Sequence, residues 1–160
     1  MKKEDIDNID RDIIRILQEN ARTSYREIQD KLGISIGTIH NRIAKLKDNK
    51  IIEGYTIRLN NTKLGYKLTF LIRMQINGKH TEEILNEIKD RPEVCSIFHT
   101  TGEQSAALIC RFRESDDVHD FIRELNEKES VTRTVSNMVL KEFKNESDII
   151  LNKDSLKEDT

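Results

Sequence analysis

The apolar residues of this chain change their spacing part-way along it, and that change restricts the folds open to it. As far as Leu46 they recur at three and four residues, the period of a helix. From Leu68 onward they recur at two, the period of a strand. A 160-residue chain with such a break divides into two small domains, one helical and one mixed. In the helical part, Ile6, Ile9, Ile13, Ile16 and Leu17 make a stripe that predicts a helix over residues 8–19. Asp7 is its N-cap and Asn20 its end. Ser24 and Glu27 form a capping box that opens a second helix, closed by Gly33. Ser35 caps a third helix reaching to Asn49. The alternation Thr56-Ile57-Arg58-Leu59 then predicts a short strand.

Three short helices, a glycine turn between the second and third, and a following strand predict a winged helix-turn-helix over residues 1–59. With Ile39 at 0° on the third helix, Ile43, Leu46 and Ile36 fall within about 60° of it and form one apolar face. The opposite face carries Gly37, Thr38, Asn41 and Lys45, with Arg42 at its flank. These are side chains that suit a major groove. Asn41 can pair with adenine, Arg42 or Lys45 with guanine, and the Thr38 methyl with thymine, while Gly37 lets the backbone approach. Arg22, Arg26, Ser35, His40, Lys47, Lys50 and Arg58 are candidates for phosphate contacts. A polar outward face is equally what any surface helix shows, and such triplets also serve as protein-binding modules.

Charge bears on that choice. The formal net charge is −2, which on its face disfavours a polyanionic partner. Resolved along the chain, residues 21–67 carry ten basic and four acidic side chains, and residues 68–160 thirteen basic and nineteen acidic. A basic block joined to an acidic remainder is the pattern of a chain of which one part meets a polyanion.

Residues 60–67 are polar and read as a hinge. Beyond them, strands are predicted at 68–76, 94–100, 105–113 and 131–143. A helix capped by Thr81 follows the first strand and one capped by Ser115 follows the third. The order βαββαβ gives a ferredoxin-like sheet of four antiparallel strands with two helices on one face, over residues 68–144. Phe70, Ile72, Met74 and Ile76 line one side of the first strand, and Leu71 is the lone aliphatic on the other. In the third strand both faces are partly apolar, Ala106, Leu108, Cys110 and Phe112 against Ala107 and Ile109. The second face is therefore expected to be covered, most simply by another copy of the chain. Residues 145–160 are a polar tail broken by Ile149-Ile150-Leu151, which either docks on a neighbouring subunit or frays.

The run Ile6-Asp7…Asp10, Ile13-Ile14…Leu17, Arg22…Ser24…Glu27-Ile28, Gly33-Ile34-Ser35, Arg42…Leu46 and Ile51-Ile52-Glu53-Gly54-Tyr55 resembles the Lrp/AsnC family, the feast/famine regulators. Leu64-Gly65-Tyr66, Pro92-Glu93-Val94, Thr101-Gly102 and the stretch from Val131 to Leu140 extend the resemblance over about residues 6–144. It implies a transcription regulator that binds double-stranded DNA as a homodimer, assembling further to tetramers or octamers. It also implies a C-terminal domain sensing a small molecule such as an amino acid. In the family the turn Thr101, Gly102, Glu103, Gln104, Ser105 borders the effector pocket, and backbone N–H groups of a glycine turn can hold a carboxylate. Ser105 departs from the family's usual Asp, which removes a charge suited to an amino group. A plain hairpin turn accounts for the same residues.

Other chemistry finds little support. No two of the four histidines stand at ligand spacing, no CxxC is present, and no nucleotide-binding or hydrolase string occurs. No catalytic residues, metal or cofactor are therefore expected. Cys95 and Cys110, symmetric about the turn, are expected as two buried thiols. The N-terminus has no secretory apolar region and no run is long enough to span a membrane, so a cytoplasmic protein without membrane contact is expected. The alternatives to a sequence-specific regulator are an enzyme of the sirohaem-decarboxylase kind on the same architecture, and a DNA-architectural protein of weak specificity.

Overall fold

The computed structural model describes residues 6–146 and 148–151, and the chain divides into two compact units. The first comprises the residues up to Arg58 together with the segment from Glu146 onward; the second runs from Leu59 to Asn145.

The first unit holds α1 (Asn8–Glu19), α2 (Tyr25–Leu32) and α3 (Ile36–Asp48). Each helix starts where its cap puts it. The Asp7 side chain accepts from the Asp10 N–H at 2.9 Å, and the Ser24 hydroxyl from the Glu27 N–H at 3.2 Å. The Ser35 hydroxyl accepts from the Thr38 N–H at 3.1 Å. Gly33 ends α2 at φ 68°, a conformation that a Cβ would strain. After α3 the same left-handed turn falls on Lys50, at φ 56°, where no glycine is available. Ile13, Ile16, Leu17, Ile28, Ile39 and Ile43 make the core. Ile36, expected on that apolar face, is instead 45% exposed, because the first turn of α3 runs past the core. The strand expected at residues 56–59 does not form. Residues 53–59 have no regular structure and are exposed, and no described segment pairs with them, so their backbone has no ladder to join.

The second unit holds β1 (Leu68–Ile76), α4 (Thr81–Ile88), β2 (Val94–His99), β3 (Ala106–Phe112), α5 (Ser115–Asn126) and β4 (Val131–Met138). The strands form one antiparallel sheet in the order β2-β3-β1-β4, the ferredoxin-like topology. Ile72, Met74, Leu108, Cys110 and Phe112 pack with Val118, Phe121 and Leu125 of α5 and Ile84 and Ile88 of α4. β4 ends at Met138, short of the expected Phe143, with one further ladder bond from the Val139 N–H to the Thr69 carbonyl at 2.8 Å. Thr81 does not cap α4: His80 holds that position and the buried Thr81 hydroxyl has no partner among the described residues. Glu114 rather than Ser115 stands at the cap of α5, its N–H donating to Asp117 at 3.2 Å.

Residues 60–67 are a folded turn of this unit. The Tyr66 N–H reaches the Asn61 carbonyl at 2.9 Å, and the Arg113 guanidinium lies 4.7 Å from the Tyr66 ring centre. Cys110 is buried, and burial, then the neighbouring Cys95 and Glu93, push its thiol up to about 12. Cys95, expected to be buried too, is exposed because the ladder slips between Val94 and Ser96 and leaves it unpaired.

Candidate nucleic-acid interface and effector turn

α3 rests on α1 and α2 through Ile39, Ile43 and Leu46, all buried, and this fixes what points the other way. Gly37, Thr38, Asn41 and Lys45 are exposed. Thr38, Asn41, Arg42 and Lys45 line one open hollow of about 360 Å³ together with Asp7 and Asp10 of the α1 cap.

Arg42 is not free in that hollow. Its Nη1 donates to Asp7 at 2.7 Å and to Asp10 at 2.9 Å, and Asp10 is only 4% exposed. The two hydrogen bonds, Asp7 first and Asp10 second, raise Arg42 above its ordinary range. The same carboxylates that cap α1 thus pin the middle of α3. Sequence reasoning placed Asp7 at the cap and Arg42 at the flank of the groove-side face without joining them. The signal was a capping pair of acids whose second oxygens lack partners within their own helix.

The Asp7 carboxyl is held below its ordinary value of 3.8, first by the Asp10 backbone N–H and then by Arg42. A carboxyl lowered in the folded chain stabilises the fold above the unfolded value, and that contribution disappears as pH falls through the lowered one. The helical unit is expected to lose stability below about pH 4 in part through Asp7. Asp7→Asn keeps a good N-cap but removes the charge, so its thermal unfolding should vary less with pH there. Parallel pH curves for the two proteins would disprove this.

The phosphate candidates Arg22, Arg26, Ser35, His40, Lys47, Lys50 and Arg58 are all exposed, and no hydrogen bond described joins them to one another. Lys47 lies over the Tyr55 ring at 4.9 Å, and the His40 ring meets Tyr25 edge-on at 6.1 Å. The Ser35 hydroxyl also shares a hydrogen bond with the Thr38 hydroxyl at 2.9 Å.

In the second unit the turn between β2 and β3 is tied at its base. The Thr100 N–H donates to the Ser105 carbonyl at 2.8 Å and the Thr100 hydroxyl to the Gln104 carbonyl at 2.6 Å. Gly102 takes φ 100°, open to glycine and costly to others. Thr101, Gly102 and Glu103 are exposed, and Gln104 and Ser105 half-buried. The Ser105 hydroxyl is already engaged: it accepts from the Ile76 N–H at 2.9 Å and donates to the Ile76 carbonyl at 3.3 Å. Ser105 therefore knits the end of β1 to β3, a use an Asp could meet only as an acceptor. No group of His, Cys, Asp and Glu among the described residues could hold a metal ion, and no described helix is long and apolar enough to cross a membrane.

Residues 6–53 match the winged helix-turn-helix DNA-binding family, and residues 69–149 match the Lrp/AsnC ligand binding domain. The two units are thus those of a transcriptional regulator with a DNA-binding and a ligand-binding domain. An HTH-type transcriptional regulator of Pyrococcus furiosus is 39% identical over 136 residues, covering 85% of this chain and 92% of that one. The Escherichia coli AsnC structure superposes with a TM-score of 0.81 at 30% identity, over 89% of this chain and 97% of that one. A Neisseria meningitidis transcriptional regulator, solved as its L-Met complex, gives 0.84 at 27% identity over 91% and 96%. The chain belongs to the Lrp/AsnC family.

Proposed function

We propose that this regulator reads specific double-stranded DNA as a homodimer, with α3 in the major groove and a small-molecule effector at the turn of residues 101–105. The observation that carries the reading is the face of α3, where Thr38, Asn41 and Lys45 project around a hollow whose arginine is already held by two carboxylates. Asn41 and Lys45 read base edges, Thr38 and Gly37 allow close approach, and Arg42 sets the height of the helix. Arg22, Arg26, Ser35, His40, Lys47, Lys50 and Arg58 take phosphates. The protein acts as a cytoplasmic regulator rather than as an enzyme.

Dimerisation through the outer face of the sheet is supported by its residues. Leu71 and Phe98 are 37% and 53% exposed there, beside Ala107 and Ile109, and the buried Arg73 Nε has no partner among the described residues. A second copy covers these groups, and two linked helical units then span two half-sites a helical turn apart. Such dimers assemble further to tetramers or octamers. For the effector, the L-Met complex of the Neisseria relative supports an amino acid. Ser105 brings no carboxylate, so Glu103 or a neighbouring subunit supplies the partner for an ammonium group.

Selection from a random DNA pool, run with and without single amino acids, tests this. Expected is a motif of two related half-sites whose enrichment changes with one effector. A flat profile with a steep salt dependence would overturn sequence reading in favour of an architectural role. Turnover of sirohaem by the purified protein would overturn the assignment as a non-enzyme.

A further inference from the structure

The apolar triplet Ile149-Ile150-Leu151 stands alone in a polar tail, and it belongs to the helical unit although the chain reaches it through the second. The contact is specific. Gln18, exposed near the end of α1, donates from Nε2 to the Ile149 carbonyl at 2.8 Å, and its Oε1 accepts from the Leu151 N–H at 3.2 Å. One side-chain amide thus satisfies the carbonyl before Ile150 and the N–H after it. Those two groups face the same side of an extended chain and are the pair that a neighbouring parallel strand would engage. The two reciprocal bonds bracket Ile150, one accepted and one donated by the same amide. Asn at this position would be a methylene shorter, and Glu would lack the donor.

We propose that Gln18 is a docking point for the chain's own C-terminal segment, so that the tail straps the DNA-binding unit to the ligand-binding unit by a second covalent route besides residues 58–59. The occupant is this segment because its backbone, rather than its side chains, is what Gln18 reads, and because it is the segment seated there. The strap rests on neither the choice of operator nor the effector. It limits how freely the helical unit reorients while the second unit is held in an oligomer.

Amide hydrogen exchange and ¹⁵N relaxation on the full-length chain test the strap. In the unmodified protein the Leu151 amide should be protected, and Gln18→Ala should reduce that protection about 2- to 10-fold, the worth of one net hydrogen bond. The Ile13 and Ile28 amides should keep theirs, showing that the helical core is intact. Gln18→Glu should fall between, since it keeps the acceptor for Leu151 and loses the donor for Ile149. Ending the chain at Asn145 should let the helical unit tumble more independently, with shorter correlation times for α1–α3. An unprotected Leu151 in the unmodified chain, or protection and tumbling unchanged in all three variants, would overturn the proposal.

Discussion

Replacing Asp10 by Ala is expected to destabilise the helical unit by about 2–3 kcal/mol, measured by urea unfolding followed by circular dichroism. The figure sits somewhat below the range for fully buried pairs because the Arg42 side chain is 26% exposed and can recover water. Asp10 accepts from Arg42 while 4% exposed, so removing it leaves the Arg42 guanidinium to the exposed Asp7 alone and the Asp7 N–H without its acceptor. Arg42→Met should cost a similar amount, now by leaving Asp10 unpaired. The double variant Asp10→Ala, Arg42→Met should be less destabilised than the two single costs added, because neither member of the pair then stays charged without the other. Additive costs would mean that the two residues act independently. On DNA, Arg42→Met should weaken binding to every sequence and blunt base preference at the position Asn41 meets, because α3 loses its fixed height. A loss of preference at a different base pair would make Arg42 a reader in its own right.

The architecture was legible because its signals are local. Asp7, Ser24, Gly33 and Ser35 mark helix ends by chemistry that needs no tertiary partner, and each falls where expected. The alternation in β1 and β3 likewise fixes which face Ile72, Leu108 and Phe112 take. What was not legible depends on a distant partner. Thr56 to Leu59 alternates like a strand, yet a strand exists only if another joins it. Arg42 stands on the groove side of the wheel, and a wheel cannot show that two aspartates 35 and 32 residues earlier claim its guanidinium. Ser105 reads in sequence only as a hydrogen-bonding residue of the turn, and the fold adds that its hydroxyl bonds both the N–H and the carbonyl of Ile76. Ile149 to Leu151 stood out by hydropathy alone, and only the fold names Gln18 as the group that receives them.

Asn41→Ala is expected to lower affinity for the selected site by about 1–3 kcal/mol, roughly 5- to 150-fold, and to flatten the preference at one base pair. Lys45→Ala should either do the same at a neighbouring position or reduce the salt slope by about one, according to whether it meets a guanine or a phosphate. Arg22→Ala and Arg26→Ala should change the slope alone. Equilibrium titrations of matched and single-substituted oligonucleotides at several salt concentrations separate these outcomes, and an Asn41→Ala protein with unaltered preference would disprove base reading. Asn41 makes the sharper test because its side chain is short. A bidentate contact from Asn tolerates little error in where α3 sits, whereas the long stem of Lys45 adapts. The height of α3 is held by Arg42 against Asp7 and Asp10. The penalty of Asn41→Ala should therefore shrink in an Arg42→Met background, where the contact is already degraded, while the penalty of Lys45→Ala stays nearly the same. Equal penalties in both backgrounds would separate the clamp from the reading helix and leave it a purely stabilising ion pair.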